Sequence, residues 1–317
     1  MLQHRDRRIH RVATLSAAIV VGASVLLVSG VAEATTPAIT VTGLSITKGS
    51  TAGGTNIVIT GTGFSTVDET VATSVVFGAT NATTFLVLSN TQIAAKAPAG
   101  TGIVDVVVTD GTNTSAVSSA DRFTYRAPIT AAVPASTLLN SLGGSTATVT
   151  SSFSWGATAA AFALERVTAT VGGVAASLTY IDATHAKLTA PAGTPSATAT
   201  AVALIHDTIP GTADSTNAKY RAVIGSLSKT SGPLAGGGTI TVTGKGFTGA
   251  TSWVFGATAA TCTNAAAPNA DTSATCTVPA SAAGGTTPGA VTVSFTPAGG
   301  IGYGTIAGAS YTYTDLN

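Results

Sequence analysis

The chain has 317 residues, of which 44% are hydrophobic, 9% are charged and 5% are aromatic. Its length allows two or three domains. Disordered chains usually combine low hydrophobicity with high net charge, so a net charge of +1 on this composition favours a folded chain. Threonine and valine suit strands and glycine marks turns, and we therefore expect a folded, β-rich chain.

Residues 1–34 have the pattern of a secretory signal peptide. Four arginines lie near the start, an apolar run follows, and small residues occupy the two positions that a signal peptidase reads, Ala32 and Ala34. We expect cleavage after Ala34; an uncleaved membrane anchor is the alternative, because the apolar run approaches the ~20 residues that span a bilayer. Cleavage removes four of the 14 basic residues and two of the 13 acidic ones, which changes the net charge to about −1. No basic excess remains to neutralise phosphates, and nucleic acid is not an expected partner.

The segment 38–126 contains a series of short predicted strands and is called repeat one. It holds the glycine-rich run GGTNIVITGTGF, then a strand ending in VVFG, and it closes on DRFTYR. In the run IVDVVVT, Val104, Val106 and Val108 oppose Asp105, which is the alternation of a half-buried strand.

The segment 127–221, called repeat two, is a divergent copy of this pattern. Its run GGSTATVTSSFS has lost the G-x-G-F ending, while VGGVAASLTYIDATHAKLTAPAG follows the same course as repeat one. The segment again ends near a tyrosine, in NAKYRA. The stretch AFALERVTA at 161–169 comes closest to a helical period, and it is short.

The segment 222–314, called repeat three, is a closer copy of repeat one. It contains GGGTITVTGKGF, a strand ending in WVFG, the alternating run AVTVSFT and the closing ASYTYT. Across the three repeats, short strands recur every 8–12 residues between Gly, Pro and Asn turns, about the spacing of an antiparallel β-sandwich. We therefore predict an all-β protein made of three tandem sandwiches after the signal peptide.

These features together resemble the IPT/TIG family, immunoglobulin-like domains found in plexins, transcription factors and many bacterial surface proteins. The resemblance is carried by the AGG-T-x-x-x-x-T-G-x-G-F segment, the V-F-G strand end, the A-P-A-G turn and the closing F-T-Y. It spans nearly all of repeats one and three, whereas in repeat two it rests partly on position. It implies tandem immunoglobulin-like sandwiches in a secreted bacterial protein.

The glycine-rich segment could cradle a phosphate or form a structural turn. A phosphate loop leads into the N-terminus of a helix, whereas GTGF is followed by STVDETVATSVVFG, which predicts a loop and another strand. We interpret Gly61, Gly63, Gly244 and Gly246 as structural turns that supply a positive φ or a bulge at a strand end. In the family that the sequence resembles, this segment is structural. No cofactor is expected.

Cys262 and Cys276 are the two cysteines of the chain, and we predict that they form a disulfide. Export would place them where thiols oxidise. Alignment of the repeats puts them at the positions of Thr84 and Ala95, on consecutive antiparallel strands that can bring Cβ atoms within bridging range. Two free thiols are the alternative; a zinc site is disfavoured because two cysteines without nearby histidines cannot complete its shell.

Candidate catalytic and metal-binding residues are sparse. His185 and His206 are interpreted as surface or turn residues, since no G-x-S-x-G or similar motif accompanies them. Asp68, Glu69 and Asp110 could bind calcium, but no D-x-D-x-D-G loop is present, and solvated loop carboxylates are the favoured interpretation. The sequence therefore predicts a protein that is not an enzyme and holds no metal.

The remaining alternatives concern the partner. Sugar binding usually needs exposed aromatic platforms, and Trp155 and Trp253 are the candidates; Trp253 precedes VFG and is expected to pack on its sandwich. We predict a secreted or cell-surface protein for adhesion, binding or structural display, with an unknown extracellular protein or polysaccharide as partner. A carbohydrate-binding accessory protein is the alternative, and self-association through uncovered sheet edges is a further possibility.

Overall fold

The computed structural model describes residues 38–282, 288–298 and 309–315. These residues form short strands that pack as sandwiches, and a short α-helix lies at Ala159–Leu164. This confirms the predicted all-β fold of tandem immunoglobulin-like sandwiches. The predicted signal peptide, including Ala32 and Ala34, lies outside the described residues, so its removal stays a prediction.

Repeat one contains nine strands in two sheets. The strands are β1 (Thr40–Leu44), β2 (Lys48–Ser50), β3 (Asn56–Thr62), β4 (Val75–Phe77), β5 (Thr80–Asn81), β6 (Thr84–Ser89), β7 (Gln92–Lys96), β8 (Ile103–Val108) and β9 (Arg122–Arg126), with 3-10 turns at Phe64–Thr66 and Ala72–Ser74. One sheet has the order β1-β3-β7-β6 and the other β2-β9-β8-β4-β5. Strands β2 and β9 run parallel, and the other pairs in this repeat are antiparallel.

Strand alternation explains how these sheets enclose a core. On β3, Ile57, Ile59 and Gly61 are buried, whereas Asn56 and Thr60 are exposed. Successive side chains of a strand point to opposite faces, so one face of this strand is apolar and packs inward. The other strands contribute inward residues in the same way to a single cluster.

Repeat two contains β10–β18 and helix α1. The strands are β10 (Ala131–Ala132), β11 (Thr137–Asn140), β12 (Thr146–Ser151), β13 (Val167–Val171), β14 (Val174–Tyr180), β15 (His185–Thr189), β16 (Val202–His206), β17 (Ile209–Pro210) and β18 (Ala218–Arg221), and α1 is Ala159–Leu164. Seven strands follow one another in the order β10-β12-β15-β14-β13-β16-β17, and β11 pairs in parallel with β18. The start of β14 pairs with β13 and its end pairs with β15, so this one strand joins the two sheets.

Helix α1 begins two residues before the stretch that comes closest to a helical period. Thr158 caps its N-terminus, where the Thr158 hydroxyl accepts a hydrogen bond from the Ala161 N–H at 3.2 Å. The helix ends at Leu164, and the chain enters β13 at Val167. The last residues of the 161–169 stretch are therefore strand, because the β-branched Val167 and Thr168 pair with β16.

Repeat three has the strand order of repeat one in its described part. Its strands are β19 (Val223–Leu227), β20 (Ser231–Pro233), β21 (Thr239–Lys245), β22 (Thr251–Phe255), β23 (Thr258–Ala259), β24 (Thr261–Asn264), β25 (Ser273–Thr277), β26 (Gly289–Thr296) and β27 (Ser310–Thr314), with a 3-10 turn at Asn269–Asp271. The sheets are β19-β21-β25-β24 and β20-β27-β26-β22-β23. The pair β20 and β27 is parallel, as β2 and β9 are in repeat one.

With the exception of Val223, the buried apolar residues of the described chain fall into three clusters, each drawn from a single repeat. Phe64 and Phe247 occupy equivalent core positions, and their backbone N–H groups bond the carbonyls of Asn90 and Asp271. In repeat two, the N–H of Trp155 makes the same type of bond to Ala183. Trp155 is 1% exposed, so it fills the core position that the lost G-x-G-F segment would otherwise supply.

Candidate functional site

The glycine-rich segments form tight turns against neighbouring backbone. Gly63 and Gly246 have φ values of 79° and 92°, a region in which other residues are strained. At Gly61 and Gly244 the reason is space, since a Cβ would overlap the carbonyl oxygens of Thr40 and Val223 respectively. The turn at Gly63 leads into a three-residue 3-10 turn and not into an α-helix, so it offers no helix terminus for a phosphate.

Cys262 and Cys276 are joined by a disulfide, as predicted. They lie directly opposite one another on β24 and β25, with 4.0 Å between their Cα atoms. Cys276 is equivalent to Ala95, since both pair with an isoleucine of the preceding long strand. The equivalent of Cys262, however, is Phe85, which pairs with Ala95.

The placement of Cys262 at Thr84 was therefore wrong by one residue. The cause is a one-residue shortening before β24. Ala82 and Ala260 make equivalent backbone hydrogen bonds to Val75 and Trp253, but β24 begins directly after Ala260 whereas Thr83 precedes β6.

The three loop carboxylates weighed as calcium ligands instead accept hydrogen bonds from their own repeat. Asp68 accepts from the N–H and hydroxyl of Thr70, both on Oδ1. Asp110 accepts from the N–H groups of Thr112 and Asn113, and these two bonds lower the pKa of its carboxyl group to about 2. Within the described ranges, no group of three or more His, Cys, Asp or Glu side chains could hold a metal ion.

Glu69 has a separate structural role at a sheet edge. Its Oε1 accepts a hydrogen bond from the N–H of Val87 at 2.6 Å. Val87 belongs to β6, the last strand of its sheet, so this N–H points away from the neighbouring strand β7. The carboxylate therefore occupies a donor that would otherwise be open to pairing with another chain.

Both tryptophans are buried and cannot act as sugar-stacking platforms. Trp253 is 5% exposed and packs between Phe247 and Phe295, with ring centroids 5.1 and 4.6 Å away. Trp155 packs edge-on against Phe162 at 5.1 Å and donates its ring N–H to the Asp182 carbonyl. The expected packing of Trp253 is thus observed, and Trp155 is placed in a core as well.

The histidines differ from one another. His185 begins β15 and is half-buried, with Nδ1 2.8 Å from Asp182 Oδ1, which suits the predicted turn position. His206 ends β16 and is only 1% exposed, so its interpretation as a surface or turn residue was wrong. It was mislocated because the groups that bury it come from segments about 40 and 80 residues away in the chain.

His206 belongs to a cluster of charged side chains at the joint between repeats one and two. The joint cluster consists of Lys48, Arg126, Glu165, His206 and Asp207. Lys48 and Arg126 lie on the paired strands β2 and β9 of repeat one, and the other three belong to repeat two. Such a cluster carries no sequence signature, because its members are spread over 160 positions.

Three ion pairs cross the joint. Lys48 Nζ donates to Asp207 Oδ1 at 2.7 Å, and Arg126 Nε lies 3.4 Å from Asp207 Oδ2. Arg126 Nη1 also donates to Glu165 Oε2 at 3.1 Å. Burial alone would raise the pKa of Asp207, but the hydrogen bond from Lys48 and the positive charges of Lys48, Arg126 and Arg166 lower it below the ordinary value. Asp207 is therefore held in its charged form.

The backbone that presents Asp207 is strained. Asp207 and Thr208 form the two-residue turn between β16 and β17, with φ values of 46° and 83°. This turn type favours asparagine and glycine, and a β-branched residue at positive φ is an outlier. Strain of this kind costs about 1–3 kcal/mol per residue and persists only where the surroundings impose it. Here the surroundings include the pairing of His206 with Ile209 across the turn and the ion pairs of Asp207 with repeat one.

A pocket lies where repeat two meets repeat three. It is a pocket of about 410 Å³ between the β13–β14 hairpin, the loop after β15, and one residue of β21. Its hydroxyl-bearing and charged lining residues are Thr194, Ser196, Thr198, Thr200, Tyr220 and Lys245. We call it the hydroxyl pocket. No ion pair to Lys245 is found within the described residues.

The model of the IPT/TIG domain family matches residues 40–125 and 222–314, which is more than half of the chain. No curated protein matches the sequence. No helix of the described chain is both long and apolar enough to span a membrane.

Several solved structures are similar to the chain. The plexin A4 extracellular region is 14% identical over 82% of this chain and 23% of that one, with a TM-score of 0.33. SGBP-B from a xyloglucan utilization locus in Bacteroides uniformis is 17% identical over 74% and 59%, with a TM-score of 0.22. SGBP-B from a mixed-linkage glucan locus in Bacteroides ovatus, in complex with a heptasaccharide, is 14% identical over 88% and 63%, with a TM-score of 0.23. The chain thus spans less than two thirds of the length of each.

Proposed function

Because the chain belongs to the IPT/TIG family, we propose that it is a secreted or cell-surface, non-enzymatic protein whose tandem domains serve adhesion, binding or structural display. Its mechanism is to hold immunoglobulin-like modules in a fixed arrangement, so that loops and strand edges are presented to an extracellular protein or polysaccharide. The signal peptide pattern of residues 1–34 supports export.

The observation that carries this proposal is the joint cluster. Only 9% of the residues are charged, yet Lys48, Arg126, Glu165 and Asp207 meet at one boundary between repeats. Partly buried ion pairs contribute little net stability but favour one geometry, since any other arrangement leaves a charge without its partner. A freely moving hinge would not hold these charged side chains in contact with one another. The cluster therefore supports a stiff connection between repeats one and two.

The experiment compares Asp207→Asn with Asp105→Asn. Asp105 forms an exposed pair with Arg122 at 3.8 Å within repeat one, so it is a matched control outside the joint. Small-angle scattering should show a broader distribution of molecular dimensions for Asp207→Asn than for the wild-type protein. The control should have the same distribution as the wild-type protein. A pull-down against cell-wall fractions and extracellular proteins should then recover less partner with Asp207→Asn. Equal scattering profiles for both variants, or hydrolytic turnover by the wild-type protein, would contradict the proposal.

We also propose that the domain boundaries lie near residues 127 and 222 and that cleavage occurs after Ala34. Limited proteolysis should release fragments of roughly a third of the mature chain. N-terminal sequencing of secreted protein should begin with TTPAIT. Recovery of the intact leader in membranes would instead indicate an anchor.

The second candidate function is carbohydrate binding, and the hydroxyl pocket is the observation that favours it. Ligand sites occur often at domain boundaries, and polar groups converging in a concave site fix a ligand's orientation. The hydroxyls of Thr194, Ser196 and Thr198 could exchange hydrogen bonds with a short saccharide, and Lys245 could pair with an acidic substituent. Titration calorimetry with neutral and uronate oligosaccharides tests this. Lys245→Ala should abolish binding of the acidic ones, whereas Lys229→Ala, outside the pocket, should not.

A further inference from the structure

The ring of His206 has two hydrogen-bond partners, and both are acceptors. Nδ1 lies 2.9 Å from the carbonyl oxygen of Ala127, and Nε2 lies 2.8 Å from Glu165 Oε2. A carbonyl oxygen carries no proton to donate. Glu165 Oε2 also accepts from Arg126 Nη1 at 3.1 Å, as expected of an ionised carboxylate.

A neutral imidazole has one N–H and one lone pair, so it can satisfy only one of these two oxygens. The other oxygen would then face a ring lone pair at hydrogen-bond distance. Water cannot relieve this contact readily, because the His206 side chain is 2% exposed. The ring of Phe153, whose centroid is 4.8 Å from that of His206, covers it further. The doubly protonated ring satisfies both oxygens.

We propose that His206 is an imidazolium ion in the closed joint, and that loss of its proton loosens repeat one from repeat two. The proposal rests on the stiff joint proposed above and adds a regulator to it. Ala127 is the first residue of repeat two after β9, and Glu165 is bound to Arg126 of β9. The ring thus links the chain crossing between the repeats with the ion pair that spans them.

Charged side chains from both repeats surround His206. Glu165 faces the ring from the end of α1, and Arg126 of β9 shares that carboxylate. Asp207, the adjacent residue, is neutralised by Lys48 of β2 and by Arg126. Both ring N–H groups are bonded only in the protonated ring, so loss of a proton leaves one of the two oxygens facing a ring lone pair and weakens the closed joint.

The test uses the full chain with ¹⁵N-labelled histidine. Nuclear magnetic resonance should show both His206 nitrogens protonated at pH 5.5, and one unprotonated at higher pH. Residual dipolar couplings should give repeats one and two a common alignment in the first state and different alignments in the second. His185→Gln is the matched control, since His185 contacts Asp182 within repeat two, and it should leave both changes in place.

Glu165→Gln provides a second variant that keeps the shape of the side chain. It removes the negative charge beside the ring, so deprotonation of His206 and the loss of common alignment should both move to lower pH. A single neutral tautomer of His206 at pH 5.5 would overturn the proposal, as would a common alignment that persists after deprotonation. If Asp207→Asn frees the joint while pH does not, the stiff joint stands and only the role of His206 fails.

Discussion

Repeats one and three share one topology but stabilise the same strand pair by different chemistry. In repeat one, Phe85 on β6 pairs with Ala95 on β7, and Phe85 packs against the core. In repeat three, the equivalent pair is the Cys262–Cys276 disulfide. Repeat two has Leu178 opposite Leu188 at this place.

The difference follows from the connection between the two strands. In repeat one a tight turn of two residues, Asn90 and Thr91, joins β6 to β7, whereas residues 265–272 separate β24 from β25. A longer loop costs more entropy to close, and a covalent bridge removes part of that cost from the unfolded chain. The strand pairs β6–β7 and β24–β25 therefore keep the same register, although different interactions connect their opposite residues.

Removal of the disulfide should cause the largest change in the stability of repeat three relative to repeat one. The Cys262→Ala/Cys276→Ala double variant should destabilise repeat three by about 3 kcal/mol, as expected for a crosslink that closes a loop of this size. Repeat one should be nearly unchanged, because it has its own core. Calorimetry of wild type, the variant and the reduced protein measures the separate transitions. Equal destabilisation of both repeats would contradict the view that the bridge acts locally.

A methyl group at Gly61 tests the turn that repeats one and three share. The Cβ of Gly61→Ala would overlap the carbonyl of Thr40, so β1 must shift, at a cost of about 2 kcal/mol. Gly43→Ala on β1 is the control, since a Cβ there has no atom within 4 Å. Chemical denaturation followed by resonances of repeat one measures both.

Repeat two indicates why this turn is not obligatory. It has Ser151 at the position of Gly61, and its β10 pairs without the register shift found between Val41 and Gly43. The Ser151 hydroxyl donates to the Phe153 carbonyl and accepts from the Phe153 N–H, so the side chain itself forms the turn. If Gly61→Ala proves neutral, the close backbone approach is not the reason for the glycine.

Transfer of the bridge to repeat one is the third test. Phe85→Cys/Ala95→Cys should form a disulfide on oxidation, because the two residues are directly opposite. The net gain should be only about 1 kcal/mol, since the closed loop is shorter and the packing of Phe85 is lost. Thr84→Cys/Ala95→Cys is the control and should not close readily. If the control variant formed a disulfide efficiently, Thr84 and not Phe85 would be the equivalent of Cys262.

Loss of the Glu69 carboxylate should have the smallest effect. Glu69→Ala frees the Val87 N–H on the edge of β6 and should destabilise repeat one by less than about 1 kcal/mol, since water can replace the acceptor. It should nevertheless raise self-association, because the edge becomes open to pairing. Analytical ultracentrifugation at increasing concentration measures this, with Asp105→Asn as control. A variant as monomeric as wild type would show that the edge needs no such protection.

The sequence was sufficient for the strand pattern and the disulfide because both depend on local periodicity and on residues in neighbouring strands. The internal repeat also supplied the equivalence of Cys276 and Ala95. The alignment of the repeats by sequence was wrong by one residue at Cys262, because a one-residue deletion in a short connection is visible only in the strand register. Family resemblance in repeat two gave the course of the chain but left Trp155 open as a candidate sugar platform, whereas the structure buries it in the core.

The joint cluster could not be predicted for a different reason. His206 and Asp207 follow Ile205 at the end of an apolar strand. In sequence, this position resembles many exposed hairpin turns. Their burial depends on Lys48 and Arg126, which belong to another repeat and carry no motif. Contacts between domains have no periodicity in sequence, so they appear only when the domains are placed against each other.

The parallel pair β2 and β9 has a mechanical consequence. The chain enters repeat one ahead of β2 and leaves it from β9, so tension on the two ends pulls these strands along their length in opposite directions. Their hydrogen bonds are then loaded in shear and must rupture together, unlike the sequential unzipping of a hairpin pulled from its open end. The same arrangement recurs in β11 with β18 and in β20 with β27. Each module should therefore resist extension when the chain is pulled at its two ends.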